Sequence, residues 1–342
     1  MRHQLAELLA AAGHDVLFLE KPFLPGWRNG APRQGAGRII LAGHSELIHR
    51  KLRLAPFVHR LNAAVVRRSL MSAIAATGFP KDAVIVNFNY DYWFLREMFP
   101  ARRLITIIND DFVSNALFGF TNPHHWALAR TCAASDHVLT VSEPLRSDLA
   151  QYCHAQLFLP WADQAYRPPV EGTARDTLLF WGFINSKLDF PLIRNLADRL
   201  QRHRSALKLL FVGPVEQGVD GEVAALRKRS NVEVRAAMGL DQLPIERILA
   251  GMIPYRQGNA EIDAIALPNK ALQLLARGIP LLIAGMPNFI NAPFVVRLNN
   301  TNDMQSIDDL SVRFRTMQPA IQAFVSSNGA TARLGQFMAL VA

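Results

Sequence analysis

Residues 252–285, MIPYRQGNAEIDAIALPNKALQLLARGIPLLIAG, constrain the fold more than any other stretch. The middle reads as a helix with both ends marked. Pro268 is placed for the first turn, where a missing N–H costs nothing, and Gly278 closes the far end in the left-handed conformation. Leu272, Leu275 and Ala276 give the helix an apolar stripe. PLLIAG comes directly after, short, apolar and ended by glycine, which is the pattern of a buried parallel strand. Strand–helix–strand order of this kind belongs to an α/β domain with helices covering the sheet.

Lys270 falls in the first turn of that helix, where free backbone N–H groups already favour an anion. A fixed cation there suits a phosphate. A surface lysine in any αβ unit has the same spacing, and on these residues alone it is the simpler reading.

The pattern Pro268-x-Lys270-x-x-Gln273-x-x-Ala276-x-Gly278-x-Pro280 shifts that balance. It resembles the donor segment of GT-B glycosyltransferases, in particular family 4-like and xanthan-type glucuronosyltransferases of bacterial polysaccharide biosynthesis. Many of these carry Glu where Gln273 stands, and the glucuronosyltransferase type carries K-x-x-Q as here. The two-glutamate pattern of many retaining members is absent, with Ile265 at the first position and Gln273 at the second. That departure bears on the donor and the stereochemical outcome, not on the fold.

A chain of 342 residues is long for one core and comfortable for two domains. Cys132 and Cys153 form neither a metal pair nor a disulfide framework, which fits a reducing, cytoplasmic setting. Residues 21–81 hold eleven Lys/Arg against one acid, Glu46, an excess of ten. The whole chain, with 37 Lys/Arg and 28 Asp/Glu, has a net charge of +9, so the rest is close to neutral. Such a localised excess implies a polyanionic partner: anionic lipid, nucleic acid or a charged glycan. No run of about 18 apolar residues is present to span a membrane. The opening MRHQLAELLAAAGHDVLFLE is broken by Glu7 and reads as helix, turn and strand, not as an export signal.

That opening helix has no strand before it. A parallel α/β domain places one there, so the chain reads as beginning about one strand late, with an exposed sheet edge beside Val16–Leu19. Residues 22–37 form a Gly/Pro/Arg-rich mobile loop, and Arg38–Ala42 a strand. A helix over 56–76 places Phe57, Val58, Leu61 and Val65 on one face, with Arg60 and Arg67 on a flank and Arg68 close by. Together with Arg53 these form a basic patch. Two readings stand level: a helix resting on an anionic membrane surface, or an ordinary packed helix with a solvated basic edge.

Ala83–Asn87 is a strand whose C-terminal end carries Asn87, Asn89, Tyr90 and Asp91, where α/β sites form. The strand Arg103–Ile108 ends in Asn109-Asp110-Asp111. A cap for FVSNALF accounts for one of these carboxylates, less well for both. Related polysaccharide transferases end this strand in D-D-W or S-D-G, and the resemblance makes Asp110 the catalytic base, with Asp111 beside it. The segment from Ser135 through Ser142-Glu143-Pro144 resembles the one closing the first GT-B domain. LFLPWADQAYRPP resembles the interdomain hinge, with Trp161-Ala162 in place of Asn-Gly. Beyond it, Thr177–Trp181 is a strand ended by Gly182, which lets backbone approach a ligand, and Lys187 stands ready for a phosphate. Tyr255 marks another strand end. Adjacent His124 and His125 face different ways on a helix and make no metal pair. HExxH, GxSxG and Walker motifs and repeats are all absent.

The resemblance implies α/β architecture of the GT-B type, two Rossmann-like domains facing across a cleft. The expected divisions are an acceptor-binding domain over 1–162, a nucleotide-sugar-binding domain over 163–328 and a helix at 329–342 crossing back. It implies transfer of a hexosyl or uronosyl group from a nucleotide sugar, UDP- or GDP-linked. The acceptor is a lipid-linked or other glycan, and the enzyme sits at the inner face of the cell membrane. Donor-binding residues are Gly182, Lys187, Tyr255, Asn269, Lys270 and Gln273. Basic groups and amide dipoles replace a metal at the diphosphate, so no cofactor is expected. A catalytically weak binding subunit of an assembly complex is the alternative. Nucleic-acid binding through the basic patch is disfavoured, because few aromatic residues and no reading motif accompany it.

Overall fold

The computed structural model describes residues 1–20, 22, 31–48, 56–80, 82–113, 116, 121–203, 206–298 and 303–341. Arg53 of the basic patch lies outside them, as do half of the 22–37 loop and much of FVSNALF. The chain divides into two units, Met1–Leu159 with Arg333–Ala342, and Pro160–Ala332.

The first unit starts with α1 (Arg2–Ala11), which turns through Gly13 into β1 (Val16–Leu19). A two-residue β2 (Arg33–Gln34) lies within the expected loop and pairs antiparallel with β3 (Ile39–Ala42), which runs parallel to β1. After α2 (Pro56–Thr77) come β4 (Ile85–Asn87), α3 (Leu95–Met98), β5 (Leu104–Ile108), α4 (Asn122–Ala134), β6 (His137–Thr140), α5 (Glu143–Leu149) and β7 (Gln156–Leu157). The Ser142 hydroxyl accepts from the Leu145 N–H and caps α5, as the Ser-Glu-Pro sequence predicts. Strands β4 to β7 form a second, all-parallel sheet in chain order. β5 is apolar and buried along its length, so helices cover both its faces. The two sheets are not hydrogen-bonded to each other: β1 and β4 are edges, and the strand expected between them is not among the described residues.

α2 turns to the core a face other than the one marked by Phe57 and Leu61. His59, Asn62, Ala63, Val66, Leu70 and Ala73 are buried, whereas Phe57 is 65 % and Leu61 57 % exposed. The inward polar groups are engaged. The Asn62 carbonyl oxygen accepts from the N–H groups of Leu47 and Ile48, and His59 Nδ1 lies 3.7 Å from Asp91 Oδ2 with both side chains 2 % exposed.

The second unit is a six-stranded parallel sheet. It comprises β8 (Thr177–Trp181), α6 (Phe190–Arg202), β9 (Lys208–Val212), α7 (Asp220–Arg227), β10 (Val232–Arg235), β11 (Ile248–Pro254), α8 (Ala260–Asp263), α9 (Asn269–Leu275), β12 (Leu281–Ala284), β13 (Val295–Arg297) and α10 (Asp303–Ser327). Asp189 caps α6 by accepting from the Leu192 N–H, and Leu192, Ile193, Leu196 and Leu200 are turned to the core. Each buried side chain contributes about 1.5–3 kcal/mol. Strand order is β10-β9-β8-β11-β12-β13, that is 3-2-1-4-5-6 in order of appearance. The direction of winding reverses between β8 and β11, and the crevice above that point is where such sheets hold ligands.

The last helix, α11 (Ala330–Val341), is fastened to the first unit from Arg333 onward. Arg333 Nε donates to Leu159 O and Gln336 Nε2 to Leu157 O, while Arg103 Nη1 donates to Leu340 O. Phe337 packs against Phe158.

Candidate functional site

The switch point of the second unit gathers several of the residues singled out in the sequence. Gly182 follows β8 with φ +143°, a conformation suited to glycine, and a Cβ there would stand 3.7 Å from Lys270 Nζ. A Cβ on Gly285, past β12, would come within 2.0 Å of Tyr255 O, so only glycine lets these strand ends meet. The segment after Gly182 lies along the end of β11: Asp189 N–H donates to Pro254 O, Arg256 N–H to Lys187 O, and Leu188 pairs with Tyr255.

Lys270 enters this crevice from α9. Pro268 is the N-cap of that helix, one position before the expected first turn, and Asn269 is its exposed first residue. Gly278, at φ +68°, closes the far end, its N–H donating to Leu275 O. Ala271, Leu272, Leu274 and Leu275 are all buried, and they fix the helix against the sheet. The ammonium of Lys270 donates to the Tyr255 hydroxyl at 2.7 Å and lies 4.7 Å and 4.6 Å from the centres of the Phe180 and Tyr255 rings. Two aromatic faces attract a cation, but they replace water poorly. Desolvation lowers the Lys270 pKa from 10.5 to about 7. Burial likewise pushes the Tyr255 phenol up to about 12 and keeps it neutral. The arrangement is a poised cation: an anion placed beside Lys270 would restore its charge.

The other expected donor residues have partners within the second unit. Lys187 pairs with Glu261 on α8. Gln273 donates from Nε2 to Asp163 Oδ2 at 2.9 Å. Neither carboxylate was singled out from the sequence, although Glu261 lies inside the 252–285 stretch; nothing in local spacing announces a partner 74 or 110 residues away.

The first unit holds the carboxylates. Asp110 is exposed two residues beyond β5, and its Oδ1 accepts from the Asp111 N–H at 3.0 Å. Asp111 Oδ1 accepts in turn from the Val113 N–H at 3.1 Å, a tight turn in which each carboxylate orders the backbone behind it. Asp148 of α5 has its pKa raised, by burial first and then by the Asp111 charge. At the end of β4, the Asn87 amide donates to Asn89 O and Thr106 Oγ1. His124 is buried and stacked on Tyr90, while His125 meets the Tyr152 hydroxyl, so the pair does diverge. Among the described residues no group of three or more His, Cys, Asp or Glu could hold a metal ion, and no helix is long and apolar enough to cross a membrane. Cys132 and Cys153 are free thiols, brought side by side by α4 and the turn after α5.

On the basic helix, Arg60 and Arg68 are exposed, whereas Arg67 pairs with Glu97 and lies 5.5 Å from the Phe94 ring centre.

No protein-family model matches this chain, and no curated protein matches it. Solved structures do. A sucrose-phosphate synthase from Thermosynechococcus elongatus superposes with TM-score 0.73 at 14% identity, over 99% of this chain and 91% of that one. The fold is GT-B. Two further GT-B structures match over nearly their full lengths. A UDP-forming α,α-trehalose-phosphate synthase from Burkholderia vietnamiensis gives TM-score 0.65 at 12% identity, covering 99% of this chain and 97% of that chain. Anabaena HepE, solved in complex with UDP and glucose, gives 0.61 at 13%, covering 96% and 99%. At these identities the likeness shows GT-B architecture alone.

Proposed function

We propose that the chain is a glycosyltransferase that moves a sugar from a nucleotide sugar, UDP- or GDP-linked, to a hydroxyl of a lipid-linked or other glycan acceptor in polysaccharide biosynthesis. The observation that carries this reading is Lys270, a desolvated ammonium at the strand-order reversal of a GT-B nucleotide-binding-type sheet. HepE with UDP and glucose lends it support by fold. When the anomeric bond breaks, charge accumulates on the departing diphosphate, and a preorganised cation in a dry site stabilises it. Lys270 is that cation, with Tyr255 and Gly182 shaping the crevice around it and Asn269 opening the helix behind it. Lys187 and Gln273 serve as supporting donor contacts that release Glu261 and Asp163 on binding. The diphosphate charge is met by these groups, with no metal cofactor required.

In the first unit Asp110 is the base that takes the acceptor hydroxyl proton, and Asp111 holds its turn. The exposed face of α2 rests on the inner surface of the cell membrane: Phe57, Leu61 and Met71 supply apolar contact, and Arg60 and Arg68 meet anionic headgroups.

A thermal-shift screen against UDP-, GDP- and dTDP-sugars tests the donor assignment. One class should stabilise the wild type and fail to stabilise Lys270→Met, with EDTA making no difference. Equal shifts in wild type and variant would remove Lys270 from the donor site. Sugar transfer measured on the same preparations separates an enzyme from a binding subunit.

A further inference from the structure

Cys132 and Cys153 are the two cysteines of the chain, and the fold sets them against each other. Cys132 lies on the inner side of α4 and is 3 % exposed. Cys153 follows α5, where its N–H donates to Leu149 O, and it is only half-buried. The Cys132 S–H donates to Cys153 Sγ. Both side chains belong to one apolar cluster, Cys132 among its buried members and Cys153 packed at its margin. The contact is one of two along a single seam. His125 and Cys132 are seven residues apart, which puts them on the same face of α4. Tyr152 and Cys153, neighbours in the chain, lie opposite: the Tyr152 hydroxyl meets His125 Nδ1, with the ring centres 6.2 Å apart.

Two thiols sealed inside a core are inert, because reagents do not reach them and burial keeps them protonated. Here the two differ. Cys153 meets solvent, and the hydrogen bond from Cys132 holds its thiol below the ordinary cysteine value, against an opposing effect of burial. The same hydrogen bond, and then burial, push the Cys132 thiol up, so it keeps its proton. The thiolate is the nucleophile toward oxidants, and the first step therefore belongs to Cys153. A reactive, reachable sulfur beside a second, protected one is the arrangement in which oxidation runs on to a disulfide.

We propose that Cys132 and Cys153 form a redox-active dithiol, a modification site at which hydrogen peroxide converts the pair to a reversible disulfide joining α4 to the turn after α5. In the first step the Cys153 thiolate attacks one peroxide oxygen. The O–O bond breaks, an S–O bond forms, and the departing hydroxide takes up the proton Cys153 had lost and leaves as water. Cys132 Sγ then attacks the Cys153 sulfur. The S–O bond breaks, the S–S bond forms, and the hydroxyl leaves with the Cys132 proton as a second water. The two sulfurs are oxidised together by two electrons and the peroxide is reduced by two; a dithiol reductant reverses the bond by exchange. The bond encloses residues 133–152, a loop of about 20 residues, and so restricts the unfolded chain. This inference is independent of the proposed function, because it rests on the thiols of the first unit alone.

The test is made on the folded full chain with hydrogen peroxide. The chain holds no other cysteine, so a monomer that yields one cross-linked peptide, two hydrogens lighter than its parts, identifies the bond. Wild type should reach that state, return to two free thiols with dithiothreitol, and melt several degrees higher while oxidised. Cys132→Ala should stop at a sulfenic acid on Cys153, captured by dimedone. In Cys153→Ala the remaining Cys132 should react with peroxide about tenfold or more slowly than Cys153 does in Cys132→Ala. Circular dichroism melts establish that each variant is folded, and the wild-type result stands without them. Survival of both thiols in peroxide that consumes free cysteine would overturn the proposal. So would a disulfide-linked dimer in place of the cross-linked monomer, or a Cys132 that reacts as fast as Cys153.

Discussion

In the proposed function Lys270 joins stability and binding in a single side chain. Its folded pKa, about 7, lies below its ordinary value of 10.5, so between these values the unfolded chain carries a proton that the folded one does not. Stability therefore rises with pH across that window and is flat, at its lower level, below about pH 7. Lys270→Met removes the desolvated charge, so the variant should melt higher than wild type at pH 7, with the gap closing toward pH 10. Donor affinity has the opposite slope. An anion binds the protonated form, so affinity is level below pH 7 and weakens above it, by up to tenfold per unit. Asp110 makes a separate claim: Asp110→Asn should cost about 10²–10⁴-fold in turnover with donor binding intact. Full activity there with a loss in Asp111→Asn would shift the base by one residue. The two aspartates were legible because carboxylates directly after an apolar strand are conspicuous. The Phe180 and Tyr255 rings around Lys270 were not, since they converge only when β8 and β11 become neighbours.

At the scale of elements, the sequence told most where the physics is local. The 252–285 stretch became β11, α9 and β12 because a run buried on both faces and a helix ended by glycine leave few alternatives. α2 shows the converse. Its apolar pattern marked Phe57 and Leu61 as one face without saying what covers it, and the chain buries His59 and Asn62 instead, whose partners Asp91, Leu47 and Ile48 are distant in sequence. The outward Phe57, Leu61 and Met71, interleaved with Arg60 and Arg68, give the membrane proposal a definite face. Each cation near an anionic surface contributes about 1 kcal/mol, so replacing Arg60 and Arg68 with Gln should weaken binding to anionic vesicles roughly thirtyfold. Raised salt should mimic the change. Vesicle sedimentation that finds equal binding to neutral and anionic lipid would rule out the electrostatic part.

Across the whole molecule both units are built largely of parallel strands joined by helices, with different sheet layouts. The second has a continuous six-stranded sheet whose winding reverses between β8 and β11; the first has two sheets, β1-β3-β2 and β4-β5-β6-β7. The sequence reading expected a sheet edge at Val16–Leu19, and β1 is one. The central claim is that the crevice of the second unit binds a nucleotide sugar through a cation made ready by desolvation. Calorimetric titration at pH 8, with the nucleotide sugar giving the largest thermal shift and in two buffers of different ionisation enthalpy, measures it directly. Binding should take up close to one proton in the wild type, and Lys270→Met should lose both the uptake and most of the affinity. Tight binding without proton uptake, or equal affinity in the variant, would contradict the account.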